Sequence, residues 1–308
     1  MSAAAAGLLD LAPRALPNYE MPKLQAGQRA IVIGMGGGCD VFAAVAMANM
    51  WQSQCESGAL VLSANCIGPR PLPDDHEPVT SSLYKLPADP VPLQPGDEAY
   101  GSTRLELSVS PRGAEGSPYL IQIPTDGKSG QPLEEVTKTN SAAVMEALQA
   151  LRVDLVVAVD CGGDSLTGGF DFEGGSFEFG RDRQVLHALA ASGVPFVQII
   201  LGPGCDGESS IEAMQKAVQQ ADASGTVLGI IPLDALVPQM ALFTQTLRPS
   251  RTPNILAHAL QVVKKRQAGE APVDADDESE HCVIRRHGGE ASIPWGWLTV
   301  GLVLKGGA

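Results

Sequence analysis

RAIVIGMGGGCD, Arg29 to Asp40, is the stretch that decides how this chain is read. Ala30 to Ile33 is an apolar run rich in β-branched residues, suited to a buried strand, and it passes at once into Gly34, Gly36, Gly37 and Gly38. The DVFAAVAMANMW that follows is apolar on nearly every side, as a helix covered by its neighbours is. Strand, glycine turn and helix in that order bring free backbone N–H groups and the positive end of a helix dipole to one point, where an anion is stabilised.

Working outward, strand-like runs recur at Ala59–Ser63, Asp154–Val159, Pro195–Leu201 and Thr226–Ile231. Helical patterns lie between them at Leu133–Arg152 and Asp182–Ala191. Another begins near Ile211 with Ser209 and Glu212 as a capping box, and an amphipathic one runs from Asn254 to Arg266. This alternation predicts an α/β fold with a mostly parallel sheet and helices on both faces, as one domain over 29–308 behind an N-terminal tail at 1–28. Two alternating stretches, Arg104–Ser110 and Tyr119–Pro124, predict an inserted antiparallel β-hairpin, and Cys282–Arg286 and Trp297–Leu304 the last strands. The segment 68–98 holds eight prolines and reads as an arm over a site or a partner contact. The acidic loop 269–280 is expected to be disordered.

The 308 residues suffice for a sizeable core, and 44% hydrophobic residues is a globular composition. A net charge of −14 leaves no basic face for nucleic acid or an anionic membrane, yet permits a small anionic metabolite bound by backbone amides. Six scattered cysteines without a CxxC pair argue against a disulfide framework. The start, MSAAAAGLLDLAPRA, lacks a basic n-region, and no apolar run approaches the roughly 20 residues of a membrane span, so a soluble cytoplasmic protein is expected. A homo-oligomer is open.

Three strands end in loops of glycine and carboxylate. These are Gly36-Gly37-Gly38-Cys39-Asp40, Asp160-Cys161-Gly162-Gly163-Asp164 and Gly202-Pro203-Gly204-Cys205-Asp206-Gly207-Glu208. In an open parallel sheet such loops converge at the carboxyl ends of the strands. Carboxylates meeting there require protons, a cation or a cationic substrate between them. Any single aspartate could be only a helix cap, but capping does not explain why Asp160 and Asp164 bracket two glycines. An NAD site is disfavoured, because Cys39 stands where GxGxxG needs glycine and the second strand ends in Ser63-Ala64-Asn65. Gly127-Lys128-Ser129 reads as a turn with a solvated lysine. His76 is expected to be solvated on the arm, and His187 and His258 to be ordinary helix residues.

The blocks GMGGGCDVFAA, GPRPL at 68–72, VDCGGDSLTGG at 159–169 and LGPGCDGE at 201–208 resemble a mostly archaeal family, domain of unknown function 1152, from about Arg29 to Asp234. The resemblance implies a Rossmann-like fold and a shared site, but no activity. It carries over Gly36, Gly37, Gly38, Asp40, Asp160, Gly162, Gly163, Asp164, Asp206, Gly207 and Glu208, with Arg70 less firmly. Cys39, Cys161 and Cys205 stand where the family blocks have small residues.

The leading expectation is an enzyme that binds a phosphate-bearing or nucleotide-like molecule. Its ligand-binding residues are Gly34, Gly36, Gly37, Gly38, Asp40, Arg70, Gly162, Gly163, Ser165, Gly204 and Gly207. Asp160, Asp164, Asp206 and Glu208 act in chemistry, with Asp164 and Asp206 as ligands of a Mg²⁺ ion or as acid and base. The alternatives are a non-catalytic metabolite sensor or carrier with the same pocket, and a metal or redox protein built on Cys39, Cys161 and Cys205.

Overall fold

The computed structural model describes residues 16–36, 38–74, 76–94, 103–109, 118–125, 131–169, 178, 180–272, 275–286 and 289–306. The first part of the chain builds β1 (Arg29–Gly34), α1 (Asp40–Gln52), β2 (Leu60–Ile67), β3 (Glu77–Pro78), β4 (Leu83–Lys85), α2 (Arg104–Leu107), β5 (Tyr119–Gln122), α3 (Leu133–Leu151) and β6 (Leu155–Cys161). There follow α4 (Asp164–Thr167), α5 (Arg181–Ser192), β7 (Phe196–Leu201), α6 (Ile211–Ala223), β8 (Val227–Pro232), α7 (Leu236–Thr244), α8 (Thr252–Ala268), β9 (His281–Arg286), β10 (Gly289–Pro294) and β11 (Val300–Lys305).

Nine strands form one mixed sheet in the order β3-β4-β5-β2-β1-β6-β7-β11-β8. The central strands β5, β2, β1, β6 and β7 are parallel. Antiparallel strands complete the edges: β4 beside β5, and β11 wedged between β7 and β8. The fold is thus α/β, with a parallel heart of the kind the repeated strand and helix pattern predicts.

Alternation along β1 shows how both faces are filled. Ala30 and Val32 join Phe42 and Val45 of α1, Met240 of α7 and Leu256 of α8, whereas Ile31 and Ile33 join Val144 and Leu148 of α3 and Val185 and Leu189 of α5. A strand covered on both sides must be apolar throughout, which is why Ala30 to Ile33 carries no polar residue. Ile31, Val32 and Ile33 each contribute about 1.5–3 kcal/mol on leaving water, and Ala30 less.

The structure departs from the expected hairpin. Arg104–Leu107 is a short helix rather than a strand, and β5 pairs in parallel with β2 and antiparallel with β4. The alternation of RLELSVS misled because Glu106 is as buried as Leu105 and Leu107, so the polar position does not face solvent. The antiparallel hairpins are instead β3–β4 and a separate pair, β9–β10. The strand expected to end by Asn65 runs on to Ile67. The cap of α6 is Ser210, whose Oγ accepts from the Ala213 N–H at 3.1 Å, while Ser209 bonds the Thr167 hydroxyl.

The acidic loop is not wholly loose. Ala275–Glu278 forms a 3-10 turn, and Asp277 is buried against His258. Ahead of β1, Leu16 and Leu24 are buried and Asn18 bridges to Ile230 of β8. His76, expected in solvent, is buried at 4% exposure. Residues 1–15, Gly37, Asp75, positions 95–98 of the arm, Gly127-Lys128-Ser129 and Asp274 lie outside the described residues. Among the described residues no helix is long and apolar enough to cross a membrane.

Candidate functional site

The strand order fixes where a ligand can reach the backbone. From β1 the chain moves outward through β2 to β5, then returns to place β6 on the other side of β1. Between the carboxyl ends of β1 and β6 the connections part, which makes this the switch point of the sheet, where open α/β sheets bind their ligands. Asp40 opens α1 directly after the β1 turn, Asp160 is the last residue but one of β6, and Asp164 opens α4. Asp206 lies in the turn after β7.

Hydrogen bonds stitch these loops together. Asp40 accepts from the Gly36 N–H at 2.8 Å and from the Cys161 N–H at 3.1 Å, joining the first loop to the second. Asp160 accepts from the Gly163 N–H at 3.2 Å and the Ser165 N–H at 3.1 Å, and the Ser165 hydroxyl donates to it as well. Gln198 of β7 donates to Ser165 Oγ at 2.7 Å, holding that hydroxyl from behind. The Gly204 N–H donates to the Gly162 carbonyl at 2.6 Å, joining the second loop to the third.

The two glycines between Asp160 and Asp164 now have a physical reason. At Gly162, where φ is +131°, a Cβ would stand 2.0 Å from the Asp206 carboxyl, so only glycine lets the third loop bring its acid in. Gly36 plays the same part for an acid that sequence reasoning did not single out. A Cβ there would lie 2.5 Å from both oxygens of Asp182, near the start of α5. The neighbouring Arg181 donates to the Gly36 carbonyl, pinning α5 to the first loop.

Two sets of carboxylates result, Asp40 with Asp160 and Asp182, and Asp160 with Asp164 and Asp206. In each, one oxygen per residue lies within 4.8 Å of the others. Asp160 belongs to both. Burial pushes the Asp40 carboxyl up to about 7, helped by the charge of Asp160, and raises Asp160 to about 6 against the pull of its Ser165 hydrogen bonds. Asp164 and Asp182 are held well above the usual carboxylate range, first by burial, then for Asp164 by the charges of Asp182 and Asp160 and for Asp182 by those of Asp160 and Asp40, against the pull of Arg181 and a hydrogen bond with Asp164. Such a set either retains protons near neutral pH or gathers around a cation, and hard oxygen donors suit Mg²⁺, Mn²⁺ or Ca²⁺.

Asp40, Asp160, Asp164 and Asp206 therefore share one rim, with Gly34, Gly36, Gly38, Gly162, Gly163, Ser165, Gly204 and Gly207 in the loops that carry them. Glu208 is close enough for its charge to act on Asp160 and Asp164. The charge of Arg70 acts on Glu106 of α2. The expected anion cradle is also changed, since the Gly36 N–H is already bonded to Asp40 and the Gly38 N–H acts on Glu106. Cys39, Cys161 and Cys205 are neighbours, but burial pushes the Cys161 thiol well up, and the candidate ligand sets among the described residues contain aspartates alone. Asp182, Asn65 and Glu106 were missed. Only Asp182 carried a signal, as an acid opening a helix just beyond the second glycine loop.

Among solved structures, the chain aligns with the UDP-GlcNAc 2-epimerase from Neisseria meningitidis bound to UDP-GlcNAc, with a TM-score of 0.32 and 13% identity, over 78% of this chain and 50% of that one. The chain thus spans half the length of that enzyme. No curated protein matches it. The profile of a family described as protein of unknown function (DUF1152) matches residues 132–257, which include the second and third acidic loops and Asp182, and over that span the chain resembles this family.

Proposed function

We propose that the protein is a divalent-cation-dependent enzyme acting on a small phosphate-bearing anion at the rim between β1 and β6. The observation that carries this reading is the sharing of Asp160 between two sets of three carboxylates. A divalent cation held among these carboxylates would relieve the repulsion that otherwise keeps protons on them. The cation also supplies what the glycine turn lacks. With the Gly36 amide engaged by Asp40, an anionic substrate meets this acidic rim through the metal charge.

The residues divide by burial. Asp40, Asp160, Asp182 and Asp206 are buried and hold the ions, while Asp164 and Glu208 are partly exposed and face the reacting group as acid or base. A phosphate ester held this way is open to hydrolysis or group transfer.

Calorimetric titration with Mg²⁺ and Mn²⁺ tests the reading. Wild type binds, Asp160→Asn loses both ions, and Asp164→Asn keeps affinity for a phosphate ester within about tenfold while turnover falls by roughly 100-fold or more. Absence of cation binding by folded wild type overturns the proposal. Turnover unaffected by Asp164→Asn removes the role given to that acid.

A further inference from the structure

Beside the acidic rim, on the far side of Gly34, two buried oxygens are left without a hydrogen-bond partner among the described residues: Oδ1 of Asn65 and Oε2 of Glu106. Asn65 is 0% exposed and Glu106 is 1% exposed. The two side chains are joined by one bond only, from Asn65 Nδ2 to Glu106 Oε1 at 2.9 Å. With Glu106 ionised, that bond fixes the orientation of the amide, because the flipped form would set oxygen against oxygen. A buried acceptor left orphaned carries its full desolvation cost, so two side by side are unusual in a scaffold.

The position makes the pair informative. Asn65 lies in β2 directly opposite Gly34, and a Cβ at Gly34 would stand 2.2 Å from Asn65 Oδ1 and 2.8 Å from Asp40 Cβ. The absent side chain at Gly34 is thus shared space between the amide and the cation-holding acids. Glu106 is brought in by α2, and although burial raises its pKa, the Gly38 amide and the Arg70 charge favour its ionised form.

We propose that Asn65 and Glu106 form a hydroxyl-recognition subsite that takes the sugar of a phosphate ester held at the acidic rim; this rests on the cation and phosphate reading given above. Two adjacent acceptors match two adjacent O–H donors, as in a cis-diol. A cationic amine suits them less well, because Arg70 already places positive charge beside Glu106. The substrate class that follows is a phosphate ester of a sugar with free ring hydroxyls, either a free sugar phosphate or a nucleotide.

Calorimetry in the presence of Mg²⁺ with two matched pairs of probes tests this: ribose 5-phosphate against 2-deoxyribose 5-phosphate, and AMP against its 2′-deoxy form. Wild type is expected to prefer the hydroxylated member of one pair by about tenfold or more, since one lost bond to a buried acceptor costs about 1.4 kcal/mol or more. The pair that shows the preference identifies the source of the sugar. Asn65→Ala and Glu106→Leu are expected to erase the preference while leaving the affinity for the deoxy probe little changed. Equal binding of both members by wild type overturns the subsite and leaves the phosphate site standing. A preference that survives both substitutions also overturns it, and no binding of any probe overturns subsite and phosphate site together.

Discussion

Two corners of this molecule bury carboxylates and treat them in opposite ways. Asp277 is 3% exposed and faces His258 at 2.9 Å, while Arg266 donates to the carbonyls of Asp277 and Ser279 and stacks over Trp295. His258 in turn packs edge-on against Trp295, with ring centroids 5.6 Å apart. At the rim of β1 and β6, Asp40, Asp160, Asp164 and Asp182 face amides, a hydroxyl and one another, and the cation beside them, Arg181, only partly offsets the burial of Asp182. A buried acid matched by basic groups fastens one element to another. Acids gathered without that match cost stability, and here they gather at the switch point of the sheet between β1 and β6.

The largest effect expected from this contrast is at Gly162. A Cβ there strains a φ of +131° and strikes Asp206, so Gly162→Ala should destabilise the protein by about 4 kcal/mol, read from urea denaturation with and without Mg²⁺. A near-neutral result would mean that the second and third loops are not held together as described.

The next test is pH. Burial raises the native pKa values of Asp40 and Asp160 to about 7 and about 6, above the ordinary aspartate value of 3.8, so the native state holds more protons than the unfolded chain between these limits. Their unfavourable contribution is absent below about pH 4 and grows as pH climbs towards 7. Metal-free protein should therefore lose at least about 2 kcal/mol over that interval, because a carboxyl whose pKa rises by one on folding opposes folding by about 1.4 kcal/mol once ionised. Saturating Mg²⁺ should cancel the loss, and a stability that rises steadily through the interval would remove the repulsion argument.

The smallest expected effect is a pair of substitutions with opposite signs. Asp277→Asn removes a charge that faces His258 and should cost about 1 kcal/mol, discounted because that histidine is 39% exposed. Asp182→Asn relieves repulsion and should stabilise the metal-free protein by about 1 kcal/mol while weakening Mg²⁺ binding. Equal signs in urea midpoints would erase the distinction between the two corners.

Much of the architecture was legible because burial leaves a local trace. Ala30–Ile33 and Leu155–Val159 are apolar, and Phe196–Leu201 is so except for Gln198, because both faces of their strands are covered, and glycines follow because the turns behind them are crowded. Arg104–Leu107 was misread for the same reason in reverse, since Glu106 has the spacing of an outward strand residue yet points inward to Asn65. Asp182 gave only the ordinary mark of an acid in the first turn of a helix.

The sequence by itself determined the α/β class, the order of most of its elements and the recurrence of glycine with aspartate after three strands, because periodicity and turn chemistry act over a few residues. The tertiary structure alone decided that Asp182 joins Asp40 and Asp160, that the amide of Gly36 is engaged by an acid, and that Asn65 and Glu106 meet across Gly34. Those outcomes depend on strand order and on the approach of helices far away along the chain, and no local pattern encodes a distance between residues brought together by the sheet.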